Sequence, residues 1–206
     1  MAITTYAELK SSIADFLNRD DLTSVIPTFI QLAESDMNRR VRHWRMESRV
    51  TVSASSQYTE LPAYFLEPIR LQVTGSDFRE LELISQSEMA DRRQRNGDTA
   101  GKPAFYAITG GTIELYPTPD ASYTIEVYYY SRIADLSDSD TSNWLLEFFP
   151  DAYLYASLQH TAAYLGEDQR LPVWASFATS AIEAINMESD KAKFGGSGKR
   201  MKIRAY

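Results

Sequence analysis

The chain reads as an α+β protein: a four-helix bundle from the N- and C-terminal helix pairs, with an inserted β-rich subdomain and an extended C-terminal arm. Three observations predict it. Apolar residues recur every three or four positions through the first 48 residues and again from 144 to 194, the period of a helix face. Between them, residues 49–143 change to short runs of period two separated by Gly, Pro, Asn and Asp. Residues 195–206 open on Gly195, Gly196, Ser197 and Gly198, a flexible joint that breaks the helical pattern. Joining the two helix pairs is the simplest way to bury four apolar stripes. The expected domains are therefore 1–48 with 144–194 as the bundle, 49–143 as the β insertion, and 195–206 as the arm.

Each element has its own signal. Thr4 or Thr5 can cap a helix running to about Asn18, with Tyr6, Leu9, Ile13, Phe16 and Leu17 on one face. From Leu22 to Arg49 a second helix is expected, roughly 35 Å of spine at 1.5 Å per residue. Leu22, Val25, Ile26, Phe29, Ala33, Met37, Val41 and Trp44 form its apolar stripe, and Pro27 falls in its first turn. Gln31, Glu34, Asn38, Arg39 and Arg42 lie opposite, toward water or a polar partner. Val50 and Val52 start a strand, and the turn at Ser53 to Gln57 leads to a second at Tyr58–Leu61, the two expected to pair as a hairpin. LPAYFLEP reads as an irregular or helical turn. Strands follow at 69–74 and 80–84, then a polar helix from Ser85 with Glu88 three residues on, as a capping box requires. ADRRQRNGDTAGKP reads as an exposed loop. Gly110-Gly111 joins strands 104–109 and 112–116 as a two-residue hairpin turn, and TIEVYYY closes the sheet. After a polar linker at 135–143, helix returns at Trp144, runs from Pro150 to Leu165, stops at Gly166, and resumes from Asp168 to about Lys193.

The totals exclude several classes. The 206 residues suffice for a real core, and 44% hydrophobic with 24% charged residues is an ordinary globular composition. No run is long enough to span a bilayer, and MAITTYAELK lacks the basic and apolar regions of a signal peptide, so neither secretion nor a membrane partner is expected. Without cysteine there is no disulfide, thiolate metal site or cysteine nucleophile. The net charge is −7, yet Lys199 to Tyr206 carries four cations and no acid, which leaves the rest four charges more negative, at −11. Such a body is poorly suited to gripping phosphates.

No residue pattern singles out a reaction. His43 lies among arginines and His160 on a Tyr-rich helix, neither with a partner at metal-ligand or triad spacing. HExxH, GxSxG and the phosphate-binding glycine motifs are absent. Asp135, Asp138 and Asp140 offer oxygens at calcium-loop spacing, but the glycine and the closing acid are missing, with Phe149 in the last position. No catalytic residue, metal or cofactor is expected.

Two basic features remain. Arg39, Arg42 and Arg45, with Arg92, Arg93 and Arg95 of the loop, are read either as a nucleic-acid surface or as structure and subunit or tail contacts; the acidic body favours the second. In KRMKIRAY, Met201 and Ile203 alternate with Lys202 and Arg204 beyond a flexible joint. That is either a frayed basic end or an arm that adds to a partner's edge.

Four blocks, IPTFIQLAESDMNRRVR, LPAYFLEPIRL, KPAFYAITGGTIELYPTP and YYYSRIADLSDSDTSNWLLEFFPDAYLYASLQHTAAYL, resemble in this order the head–tail adaptor (head-to-tail connector) proteins of tailed phages and prophages. The resemblance covers Tyr6 to Phe194. It implies a non-enzymatic virion protein at the head–tail junction, assembled in the host cytoplasm as a homo-oligomeric ring of about twelve copies. The ring would sit beneath the portal protein, attach a tail or nozzle protein, and extend a channel through which double-stranded DNA passes without sequence-specific binding. It also implies a portal-binding role for the arm, which comprises Lys199, Arg200, Met201, Lys202, Ile203, Arg204 and Tyr206. The alternatives are another neck or tail-completion ring protein and a metal-dependent hydrolase or nuclease.

Overall fold

A computed structural model describes residues 2–195 apart from 76, 77, 98 and 167. The expected arm at Lys199–Tyr206 lies outside the described residues. The chain divides into two compact units, one made of residues 1–46 and 133–206, the other of Glu47–Arg132.

Among the described residues, the regular elements of the first unit are all helical. Helix α1 (Tyr6–Leu17) starts with a full capping box: Thr5 Oγ1 accepts the Glu8 N–H, and the Glu8 carboxylate accepts the Thr5 N–H. Bonds from the Thr4 N–H and hydroxyl, with help from Thr5, hold the Glu8 carboxyl down at about 2. Helix α2 (Ile26–Arg40) buries Ile26, Phe29, Ile30, Ala33 and Met37. It ends nine residues short of the expected spine, because Val41 is extended. Asn186 holds that break open, accepting the Arg42 N–H at 2.8 Å and donating to the Arg40 carbonyl at 3.0 Å. The remaining helices are α4 (Trp144–Phe148), α5 (Pro150–Gln159), α6 (Ala162–Leu165) and α7 (Leu171–Phe194), after α3 (Gln86–Asn96) of the second unit. Helix α7 turns Trp174, Ala178, Ile182 and Ile185 inward.

The expected four-helix bundle with an inserted β subdomain is therefore not found. The fold is a mixed α+β one with seven helices among the described residues and a seven-stranded sheet. The physical reason is local. Phe149 leaves the helical region (φ −136°, ψ 59°) just before Pro150, and the chain turns again at His160–Thr161, so residues 144–165 form three short helices.

The second unit contains β1 (Glu47–Ala54), β2 (Tyr58–Glu60), β3 (Phe65–Thr74), β4 (Arg79–Leu83), β5 (Phe105–Thr109), β6 (Thr112–Tyr116) and β7 (Tyr123–Ser131). Their order across the sheet is β1-β7-β3-β4-β5-β6-β2. Strands β1 and β2 are not the expected hairpin, since β1 pairs with β7 and β2 with β6. They occupy opposite ends of that order, yet only residues 55–57 join them. Four residue steps reach at most about 14 Å, whereas seven flat strands would set the end strands about 29 Å apart. The sheet must curl until it nearly closes. Leu71, Val73, Leu81, Ile113, Leu115, Ile125 and Val127 belong to its core. Helix α3 crosses between the parallel pair β4 and β5 and seats Met89 with Ile84, Ala107 and Tyr116. LPAYFLEP is no helical turn: β3 begins at Phe65 and carries Pro68 through two register shifts, the irregularity a proline requires within a strand.

Candidate functional site

The predicted arginines separate into two kinds. Arg42 turns back on its own helix end, donating to the Val41 and Asn38 carbonyls at 2.7 and 3.1 Å, where a cation also meets the helix dipole favourably. Arg39 is exposed on the last turn of α2 and pairs with Asp36 at 3.4 Å, but Asp36 also serves Arg40 at 3.1 Å. Arg45 lies over two rings, 4.6 Å from the centroid of Trp44 and 4.0 Å from that of Phe148. Both aromatics are exposed, and an arginine in contact with two exposed rings is of the composition that dominates binding hot spots.

Arg92, Arg93 and Arg95 are not in a loop, as the sequence led us to expect, but on α3. Arg92 pairs with Glu88 at 2.7 Å and covers Phe105. Arg93 is largely buried, 3.3 Å from the Glu114 carboxylate, and donates to the Leu115 carbonyl and to Thr118 Oγ1. It ties α3 to β6. Arg95 pairs weakly with Asp91 at 3.8 Å and is exposed. In β7, Tyr128 is faced by Arg70 at 4.7 Å and Arg49 at 6.0 Å, and the strand is paired on both sides, so it offers no free edge.

The polar face assigned to α2 is also corrected. Glu34 and Asn38 are buried. Glu34 accepts the Leu136 N–H at 2.7 Å and lies 3.4 Å from the Tyr153 hydroxyl, while Asn38 accepts the Ile133 N–H at 2.8 Å. Asn143 closes the set by donating to the Ala134 carbonyl and to Tyr153. Burial, opposed by the Leu136 bond, pushes the Glu34 carboxyl up to about 7, and burial likewise raises the Tyr153 phenol. These groups fix the segment that enters the helical unit from β7. Sequence periodicity assigned them to the wrong face because an amide and a carboxylate look solvated until their partners are known.

His43 is fully buried, stacked on Trp144 at 5.1 Å with Phe149 edge-on at 5.9 Å. Its Nδ1 accepts the Arg45 N–H, and its Nε2 finds no partner among the described residues. Burial pushes its pKa down. His160 is also lowered by burial. Asp138 is bound to Lys10 at 2.8 Å, and Asp140 sits in a turn with Ser137 and Ser139, so this aspartate run is a helix-entry loop. Among the described residues no group of three or more His, Asp and Glu gathers as a metal would need, and no helix is long and apolar enough to cross a membrane.

What the arrangement offers is surface, above all the Trp44–Arg45–Phe148 stack. One further feature escaped the reading of the sequence, although its spacing is visible there: α7 carries a second apolar line, with Val173, Phe177 and Met187 exposed. No curated protein matches the chain. A family model, described as SU10 adaptor protein, matches residues 4–201. A match over nearly the whole length shows that the chain belongs to the SU10 adaptor protein family.

Proposed function

We propose that this family member is the head–tail adaptor of a tailed phage: copies close into a ring of about twelve beneath the portal, extend the DNA channel, and attach the tail. The observation that carries this reading is the family match across residues 4–201, which makes the chain a phage adaptor and a virion component. Its working parts are contact surfaces, and no reaction is assigned to it. The charge of −11 outside the last eight residues suits a channel wall that DNA slides past without adhering. Exposed Arg39, Arg45 and Arg95 are the arginines best placed to meet a neighbouring subunit or tail protein, whereas Arg42 and Arg93 are committed to the fold. The arm from Lys199 to Tyr206 is assigned to the portal, because its basic, alternating residues fit strand addition to an acidic edge.

Electron microscopy of the full chain mixed with the portal of the same phage tests this. A closed annulus on the portal is expected, and its loss when Gly195–Tyr206 is deleted. Subunits that never form an annulus on the portal would overturn the ring. A deletion variant that docks normally would overturn the role of the arm.

A further inference from the structure

We infer that the outward line of α7, from Val173 to Met187, is the surface on which a second copy of this chain docks, through the α2 face that carries Leu32 and Arg39. This rests on the ring reading above and names the surfaces that would make the ring.

Helix α7 is apolar on two sides. The inner stripe is already buried within its own unit. The outer one, Val173, Phe177, Ser180, Ala184 and Met187, advances by four, three, four and three residues. Such a repeat lets one helix seat its side chains between those of another. Val173 and Phe177 are each 48% exposed and Met187 55%, a run of apolar surface that an isolated subunit has no use for. Beside it lies a shallow groove of about 300 Å³ between α5 and α7, lined by Asp151, Tyr155, Phe177 and Ala184 among others. The Tyr155 and Phe177 rings pack 5.0 Å apart along it.

The occupant must bring an apolar knob and positive charge, because the exposed acids Asp151 and Glu183 flank the line. Helix α2 supplies both. Leu32 is 45% exposed, and Arg39 stands two turns further along the same face. Arg39 is only partly neutralised, since its acid Asp36 is shared with Arg40. The two surfaces differ, so the contact is heterologous and repeats from copy to copy, as a ring demands. It is also small. Roughly 20 Å of helix about 10 Å wide covers far less than the ~800 Å² per partner of a standard interface. Subunits joined this way should close on a template rather than assemble alone.

Two measurements decide it. The chain has no cysteine, so with Leu32→Cys on one tagged copy and Phe177→Cys or Met187→Cys on another no native thiol of this chain competes, and the two tags distinguish a mixed disulfide from pairs of like copies. With portal present, a mixed cross-link is expected. Its absence while the mixed copies still form the annulus overturns the inference. Separately, Phe177→Glu should keep the wild-type circular dichroism and a cooperative melt, lowered by only a few degrees for the lost packing on Tyr155, but reduce ring assembly on the portal at least about tenfold. A Phe177→Glu protein that assembles normally, or assembles but loses a tail protein instead, also overturns it. If wild-type copies form no ring at all, the ring reading fails first and this inference with it.

Discussion

The Glu34 carboxylate accepts the backbone N–H of Leu136, 102 positions along the chain, at 2.7 Å. One turn further along α2, Asn38 does the same for Ile133. These bonds satisfy two buried donors that water cannot reach. They also leave a carboxyl group in a poor place to be charged.

Stability should therefore depend on pH through Glu34. Its folded pKa of about 7 lies above its ordinary value, so between roughly pH 4.5 and 7 the folded state holds a proton that the unfolded state has lost. The contribution of this group is complete below that window and falls as pH rises through it, by an amount on the order of 2–3 kcal/mol. Glu34→Gln keeps an acceptor for Leu136 and removes the titration. Urea unfolding at pH 5 and pH 8 should show a smaller difference for the variant than for wild type; equal differences would show that Glu34 does not titrate there.

Asn186→Ala should loosen the end of α2. It removes both the acceptor of the Arg42 N–H and the donor to the Arg40 carbonyl. A cost of about 1–3 kcal/mol is expected. Amide exchange should quicken first at Arg42.

Arg93→Met and Arg95→Ala should differ sharply although the two arginines stand only two positions apart on α3. The first removes the cation paired with the buried Glu114 carboxylate, leaving Gln57 as its remaining side-chain donor, and takes a donor from two further acceptors, costing about 3 kcal/mol. The second breaks an exposed pair and one exposed bond to the Asp91 carbonyl, and should stay within about 0.5 kcal/mol. Thermal melts of the two variants check this.

Gly111→Ala should cost about 1–2 kcal/mol. Gly110 and Gly111 sit at φ +54° and +87° between paired Thr109 and Thr112, a turn with positive φ at both positions. Gly110→Asn should be tolerated better, and denaturant midpoints for the two variants should rank in that order.

The sequence by itself determined what depends on neighbours along the chain. Ser85 caps α3 by accepting the Glu88 N–H, although the Glu88 carboxylate pairs with Arg92 instead of closing the expected box. Thr5 with Glu8 and the Gly110-Gly111 hairpin need only residues a few positions apart, and each stands where local chemistry puts it. So does the inward stripe of α7, and the order of blocks that marks the family. Tertiary structure alone decided the end of α2 at Arg40, which Asn186 fixes from 146 positions away, and the burial of Glu34 and Asn38. It also curled seven short strands until the sheet nearly closed. The division has one physical cause. Periodicity and capping are energies of a few adjacent residues, whereas whether a polar group is buried depends on which distant backbone arrives to satisfy it.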